Sequence, residues 1–260
     1  MSTNHGTFVW YELMTSDTLA AESFYRSVMG WNIKDAGMEG FAYQVVSVGP
    51  TMIGGMMAIP EAARTMGARP AWLGYIGVDD VDIHAGRVTA AGGAVHRAPE
   101  NIPGVGRFAV VADPQGAVFI LFRGSNDQSP QAAAPGTPGT PGHVGWHELH
   151  AGDGVSAFAF YADLFGWTKG EAVDMGSMGV YQIFVAGGVP VGGMMTKSAD
   201  MSMPAWLYYF NVEAVDAAMG RVRDSGGTVV LEPQQVPGGM WIVQCIDPQG
   251  AMFAMLSAKR

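Results

Sequence analysis

The chain has 260 residues, of which 48% are apolar and 14% charged, with a mean hydropathy of +0.16; this is enough for two cores of ordinary domain size. A formal net charge of −9 argues against nucleic acid, which calls for a basic face, and no apolar run reaches the roughly 18–20 residues that span a bilayer. The single cysteine, Cys245, cannot form an internal disulfide, and the N-terminus Met-Ser-Thr-Asn-His-Gly lacks the basic and apolar regions of a secretory signal, so the expected location is cytoplasmic.

Residues 7–14 alternate with a period of two and predict a strand, with Trp10, Glu12 and Met14 on one face and Val9, Tyr11 and Leu13 on the other. Asp17 stands where a helix N-cap belongs. Ala20, Ala21, Phe24, Tyr25 and Val28 follow at helical spacing, and Gly30 fits the stop. Short strand-like runs cover Phe41–Val48 and Met52–Ile59, and residues 60–70 read as a loop. Ala71–Val78 predicts a strand, Asp79-Asp80 a cap, and Val81, Ala85 and Val88 a second helix that Gly92-Gly93 ends. Strands around 94–97, 107–112 and 117–123 complete the pattern, the last two joined by the turn Asp113-Pro114-Gln115-Gly116. The order is β-α-β-β-β, twice.

Residues 126–141 form a Pro/Gly/Ala linker with no packing signal, after which the text repeats. Trp10-x-Glu12, Asp17, Phe24-Tyr25 and Gly30-Trp31 return as Trp146-x-Glu148, Asp153, Phe160-Tyr161 and Gly166-Trp167, all 136 residues on. Tyr43-Gln44 and Gly54-Gly55-Met56-Met57 return as Tyr181-Gln182 and Gly192-Gly193-Met194-Met195, and Trp72 and the Asp113 turn as Trp206 and the Asp247 turn. So many rigidly spaced matches make this a tandem duplication. Its domains are 1–125 and 142–260, with insertions accepted only in the loops.

A paired βαβββ unit, Phe-Tyr then Gly-Trp on the first helix, and a closing Asp-Pro-x-Gly turn resemble the vicinal oxygen chelate superfamily of glyoxalases, bleomycin-resistance proteins and extradiol dioxygenases. The resemblance covers about 6–125 and 142–258 and is nearest to tandem double-domain members of actinobacterial type. It implies an α+β fold: four βαβββ units, mixed sheets curled into half-barrels, helices outside and a concave cavity within. It also implies a pseudo-dimer within one chain, itself a monomer or a homodimer, with a small-molecule ligand as partner. Some members build a cavity from the first unit of one half and the second unit of the other, and the sequence leaves the pairing open.

Metal-using members place His, Gln or Glu on the first and last strands of their units. Counted from the helix and turn motifs, those positions fall here on Trp10, Leu73, Ile120, Trp146, Leu207 and Ala254. Indole and aliphatic groups cannot coordinate a divalent ion, so no metal or other cofactor is expected. His147-Glu148-Leu149-His150 is not a zinc motif either, because two histidines three apart on a strand point to opposite faces.

Glu12 and Glu148 each follow a Trp by two and so share its face. They read either as a general base or ligand anchor, or as acceptors that brace the sheet. Trp10 and Trp146, in the former ligand position, point to the cavity. His150, Leu73, Tyr75, Leu207 and Tyr209 share the inward phase and are candidate ligand contacts; Tyr43 and Tyr181 have no settled phase. Trp72 and Trp206 are out of phase and read as core. Asp113 and Asp247 read as turn residues, and Cys245 as a buried apolar group. Gly104-Val105-Gly106-Arg107 precedes a strand, so no dinucleotide fingerprint is present.

Three functions remain open. The first is metal-independent binding of a small apolar or cationic molecule in a Trp/Glu-lined cavity. The second is a glyoxalase-like lyase or isomerase acting on a small carbonyl compound with Glu12 or Glu148 as base. The third is a non-enzymatic interaction protein.

Overall fold

In a computed structural model of the chain, residues 4–38, 40–125 and 139–260 are described; most of the expected linker, 126–141, lies outside them. The first half runs β1 (Phe8–Thr15), α1 (Thr18–Met29), β2 (Asn32–Asp35), β3 (Tyr43–Val48), β4 (Thr51–Ala58), α2 (Glu61–Thr65), β5 (Ala71–Gly77), α3 (Val81–Ala90), β6 (Ala94–Ile102), β7 (Gly106–Ala112) and β8 (Val118–Gly124). The second runs β9 (Val144–Ala151), α4 (Gly154–Phe165), β10 (Thr168–Asp174), β11 (Val180–Ala186), β12 (Val189–Thr196), β13 (Ala205–Asn211), α5 (Val215–Asp224), β14 (Thr228–Gln235), β15 (Trp241–Ile246) and β16 (Met252–Ser257), the same strand order without a counterpart of α2. Each half forms one eight-stranded mixed sheet, ordered β2-β3-β4-β1-β5-β8-β7-β6 and β10-β11-β12-β9-β13-β16-β15-β14. Within each sheet β1 runs parallel to β4, β5 to β8, β9 to β12 and β13 to β16. The α+β tandem architecture is therefore as the resemblance implied.

The helix punctuation acts as its chemistry requires. Asp17 accepts from Ala20 N at 3.0 Å and Asp153 from Ser156 N at 2.9 Å, each satisfying an orphan donor of the first turn for about 1 kcal/mol. Gly30 and Gly166 close the same helices in the left-handed region, with φ of 69° and 72°, where a Cβ is unfavourable.

The structure departs from the sequence expectations in three places. Residues 60–70 contain the short helix α2, with all its side chains half-exposed or exposed. The edge strands β2 and β10 had no periodic signal: in β2 only Ile33 is buried. Strand β6 extends to Ile102 rather than stopping near Arg97, and runs through Pro99 where its register with β7 shifts. Pro233 sits at the matching shift in β14. Both are edge strands, where a residue without an N–H is tolerated.

Contacts gather the chain into two compact units that cut across the duplication. One holds Trp146–Leu207 with residues 4–9 and 73–125; the other holds Trp10–Trp72 and Tyr208–Arg260 with residues 139–145. Each unit thus combines the first βαβββ module of one half with the second module of the other. In the unit containing Trp10, α1 packs against α5, where Arg221 Nε donates to Val28 O at 2.9 Å and Phe24 sets its ring edge against Phe253. Among the described residues no helix is long and apolar enough to cross a membrane.

Candidate functional site

Most of the repeated phrase turns out to be frame. In one unit Trp72 Nε1 donates to Tyr25 Oη at 2.9 Å, and Tyr25 Oη donates to Asp247 Oδ2 at 3.2 Å. In the other Trp206 Nε1 donates to Tyr161 Oη at 3.1 Å, and Tyr161 Oη donates to Asp113 Oδ2 at 3.1 Å. The second carboxylate oxygen of each Asp caps its own turn, accepting from the backbone at 115 and 117, or 249 and 251. The helix tyrosine of one half is thereby tied to the turn of the other. Burial pushes the Tyr25 hydroxyl well above its ordinary value and also raises the Asp247 carboxyl. Trp31 and Trp167 are buried as well, donating to Gly142 O at 2.9 Å and Gly6 O at 2.6 Å. The core reading of Trp72 and Trp206 is thus met. The turn aspartates do more than turn: they are the buried acceptors of this network, which separations of 222 and 48 residues concealed.

What the frame leaves over is a chain of three side chains that is also present twice. On β1 the Trp10 indole N–H donates to Tyr43 Oη at 2.9 Å, and that hydroxyl hydrogen-bonds Glu12. On β9 Trp146 Nε1 donates to Tyr181 Oη at 2.7 Å, and Tyr181 donates to Glu148 Oε2 at 3.1 Å. The carboxylates lie deep, Glu12 at 3% and Glu148 at 8% exposed, whereas Trp10, Trp146, Tyr43 and Tyr181 are only half-buried. Burial first, and the neighbouring carboxylate charge second, hold both tyrosine hydroxyls far above their ordinary range, so they act as donors rather than as phenolates.

Glycine explains how the tyrosines reach this position. A Cβ on Gly55 would stand 2.0 Å from Tyr43 Oη, and one on Gly193 would stand 2.0 Å from Tyr181 Cε1. The glycines recur in the sequence, but nothing local to them points to a tyrosine on the next strand. The register makes the link: Val45 pairs with Gly55 and Ile183 with Gly193, two residues from Tyr43 and Tyr181. The phase left open in the sequence is therefore settled toward the Trp and Glu.

The two copies differ in the side chain that follows the Glu by two. Met14 follows Glu12 by two; His150 follows Glu148 by two, and its Nε2 stands 2.8 Å from Glu148 Oε1. The approach is close in distance but oblique in angle, so Nε2 does not form a well-aligned hydrogen bond. His147 is elsewhere, as its phase required. Its Nδ1 faces Val191 O at 2.6 Å and its ring stacks on Phe8 with centroids 4.0 Å apart; burial brings it down to about 4.

The other candidates stand on β5 and β13. Leu73 is half-buried and Tyr75 packs on Phe122 with centroids 5.8 Å apart. Leu207 is buried, and Tyr209 Oη accepts from Gln244 Nε2 at 2.8 Å. Cys245 is buried and its thiol is pushed up to about 12 by desolvation, an inert environment. A shallow groove lined by Ala20, Ser23, Phe24, Ser225, Pro248 and Gln249 carries no charged group and includes none of the Trp–Tyr–Glu residues.

The residues at the metal positions do not fit a metal. Ile120, Leu207 and Ala254 are buried aliphatics, Leu73 is a fourth aliphatic, and the indole nitrogens of Trp10 and Trp146 are engaged as donors. Among the described residues no group of three or more His, Cys, Asp and Glu is gathered as a ligand set.

Two tandem βαβββ pairs with a polar Trp–Tyr–Glu cluster at the first strand of each define a duplicated glyoxalase-like protein. The chain belongs to the Glyoxalase/Bleomycin resistance protein/Dioxygenase superfamily, which matches residues 7–121 and 141–255. It is 30% identical over 253 residues to CFP32 of Mycobacterium tuberculosis (strain CDC 1551 / Oshkosh), whose name places it provisionally with the glyoxylases; the match covers 96% of this chain and 94% of that one. It is 31% identical over 269 residues to DnrV of Streptomyces peucetius, named for anthracycline biosynthesis, with 98% and 94% covered. Its fold is similar to that of the Mn(II)-bound glyoxalase of Novosphingobium aromaticivorans, with a TM-score of 0.67 at 16% identity over 99% of this chain and 83% of that one.

Proposed function

We propose that the protein binds a small apolar or cationic molecule, without a metal, at the Trp–Glu face of the first strand of each half. The observation that carries this reading is the arrangement itself: a nearly buried carboxylate behind a half-exposed indole, held by one tyrosine, in both halves. An indole offers a flat apolar wall, and a partly desolvated carboxylate supplies a strong anchor for a cation or a hydrogen-bond donor. The donor set at the family's metal positions supports the same reading. DnrV, named for anthracycline biosynthesis, is a relative from a setting in which small molecules are handled. A titration of tryptophan fluorescence with small aromatic and cationic compounds tests it: saturable quenching in the wild type, lost when Trp10→Ala and Trp146→Ala are combined, is expected. Stoichiometric bound metal together with turnover of methylglyoxal and a thiol would overturn it.

That second outcome belongs to the other reading, a lyase or isomerase acting on a small carbonyl compound with Glu12 or Glu148 as base. The name of CFP32 and the imidazole beside Glu148 support it.

A further inference from the structure

The two halves carry the same Trp–Tyr–Glu chain, but only the second sets an imidazole against the carboxylate. His150 is two residues beyond Glu148 on the same face of β9, with Nε2 2.8 Å from Oε1. The other carboxylate oxygen is already taken by Tyr181, which Trp146 holds in turn. The carboxylate thus has its orientation fixed from one side and meets the ring from the other. Such a pair favours the tautomer with the proton on the nitrogen facing the carboxylate, which leaves the far nitrogen with a lone pair. Here that nitrogen is Nδ1, which makes no hydrogen bond among the described residues and is not sealed from solvent. Nε2 approaches Oε1 obliquely, as acid–base pairs often do before a ligand binds. In the first half the equivalent side chain is Met14, a thioether that accepts no proton.

We infer that the second half is a proton-accepting site for a weakly acidic hydroxyl, a phenol or an enol, with His150 receiving the proton at Nδ1 and Glu148 as the positioning residue, while the first half binds without proton transfer. This rests on the small-molecule reading above. The step balances without a further reactant: the O–H bond of the ligand breaks, its pair stays on the ligand oxygen, and an N–H bond forms at Nδ1. The ligand class follows from the charges. A carboxylic acid arrives already ionised and is repelled by Glu148 and by the chain's net charge of −9. An aliphatic alcohol is far too weak an acid to give its proton to an imidazole. A phenol or enol arrives neutral, and its ring or double bond lies against the half-exposed indole of Trp146, two residues from Glu148.

The test uses the full chain and 3-nitrophenol, whose phenolate absorbs at the edge of the visible, at about pH 7, above the ordinary imidazole range and below the point at which the free probe ionises. The wild type is expected to bring up the phenolate band on binding. His150→Met, which copies the first half, should abolish it, while fluorescence quenching through Trp10 persists. Glu148→Gln should cut the phenolate fraction about tenfold. Met14→His is expected to add a second, weaker phenolate signal, which keeps the proposal testable should a second-half variant fold poorly. Quenching without a band, or a band that survives His150→Met, overturns the inference alone; absence of both quenching and band overturns the binding reading with it.

Discussion

Removing one oxygen atom tests the frame. In Tyr161→Phe the ring stays and only the hydroxyl goes. That hydroxyl is fully buried; it accepts from Trp206 Nε1 and donates to Asp113 Oδ2, both at 3.1 Å. Losing the bond to a carboxylate costs about 1.5–3 kcal/mol, and stranding the indole N–H costs about 1–3 kcal/mol more. A total near 3–5 kcal/mol corresponds to a melting temperature lower by about 10 °C for a chain of this size. Urea unfolding followed by near-UV circular dichroism reads it. Adding Trp206→Phe to Tyr161→Phe should cost less than the sum of the single changes, because the stranded donor is then gone. A loss under about 1 kcal/mol for Tyr161→Phe, or strict additivity of the pair, would refute the view that the Phe-Tyr motif is there for this buried bridge.

Gly193→Ala is expected to cost about 1–3 kcal/mol, since its Cβ falls 2.0 Å from the Tyr181 ring; calorimetry measures the loss, and ligand quenching at Trp146 should fall with it because the Tyr181–Glu148 bond is displaced. His147 gives a pH dependence of definite sign. Its folded value, about 4, lies below the ordinary value near 6.5, so the unfolded state binds the proton first and stability is lost as pH falls from about 6.5 towards 4. The loss over that window is about 3 kcal/mol; His147→Phe should flatten this acid limb in denaturation curves taken across it, and an unchanged limb would show that burial of the imidazole is not its source.

Much of the protein is written in its sequence. The period-two stretch of β1, the Asp17 and Asp153 caps and the glycine stops act locally, through backbone geometry and hydrogen bonds to the next turn, so they could be read residue by residue. The offset of 136 between Trp10 and Trp146 showed the duplication because register errors inside strands turn side chains to the wrong face. Edge strands β2 and β10 escaped because one exposed side and one pairing edge leave almost no burial pattern.

The site was legible only in part. The Trp-x-Glu pairs could be placed on one face from alternation alone, and so could His150 apart from His147. That Tyr43 and Tyr181 complete these pairs, and that Gly55 and Gly193 make room for them, depends on the β3–β4 and β11–β12 registers. That Phe-Tyr, Trp72 and the Asp turns are frame rather than chemistry depends on Tyr25 meeting Asp247 and Tyr161 meeting Asp113, contacts between modules of different halves. Sequence alone determines what each strand and helix can be, since those choices are made within a few residues. Which modules close on one another is decided by burial, because only the assembled unit supplies a partner for each buried hydroxyl, indole and carboxylate.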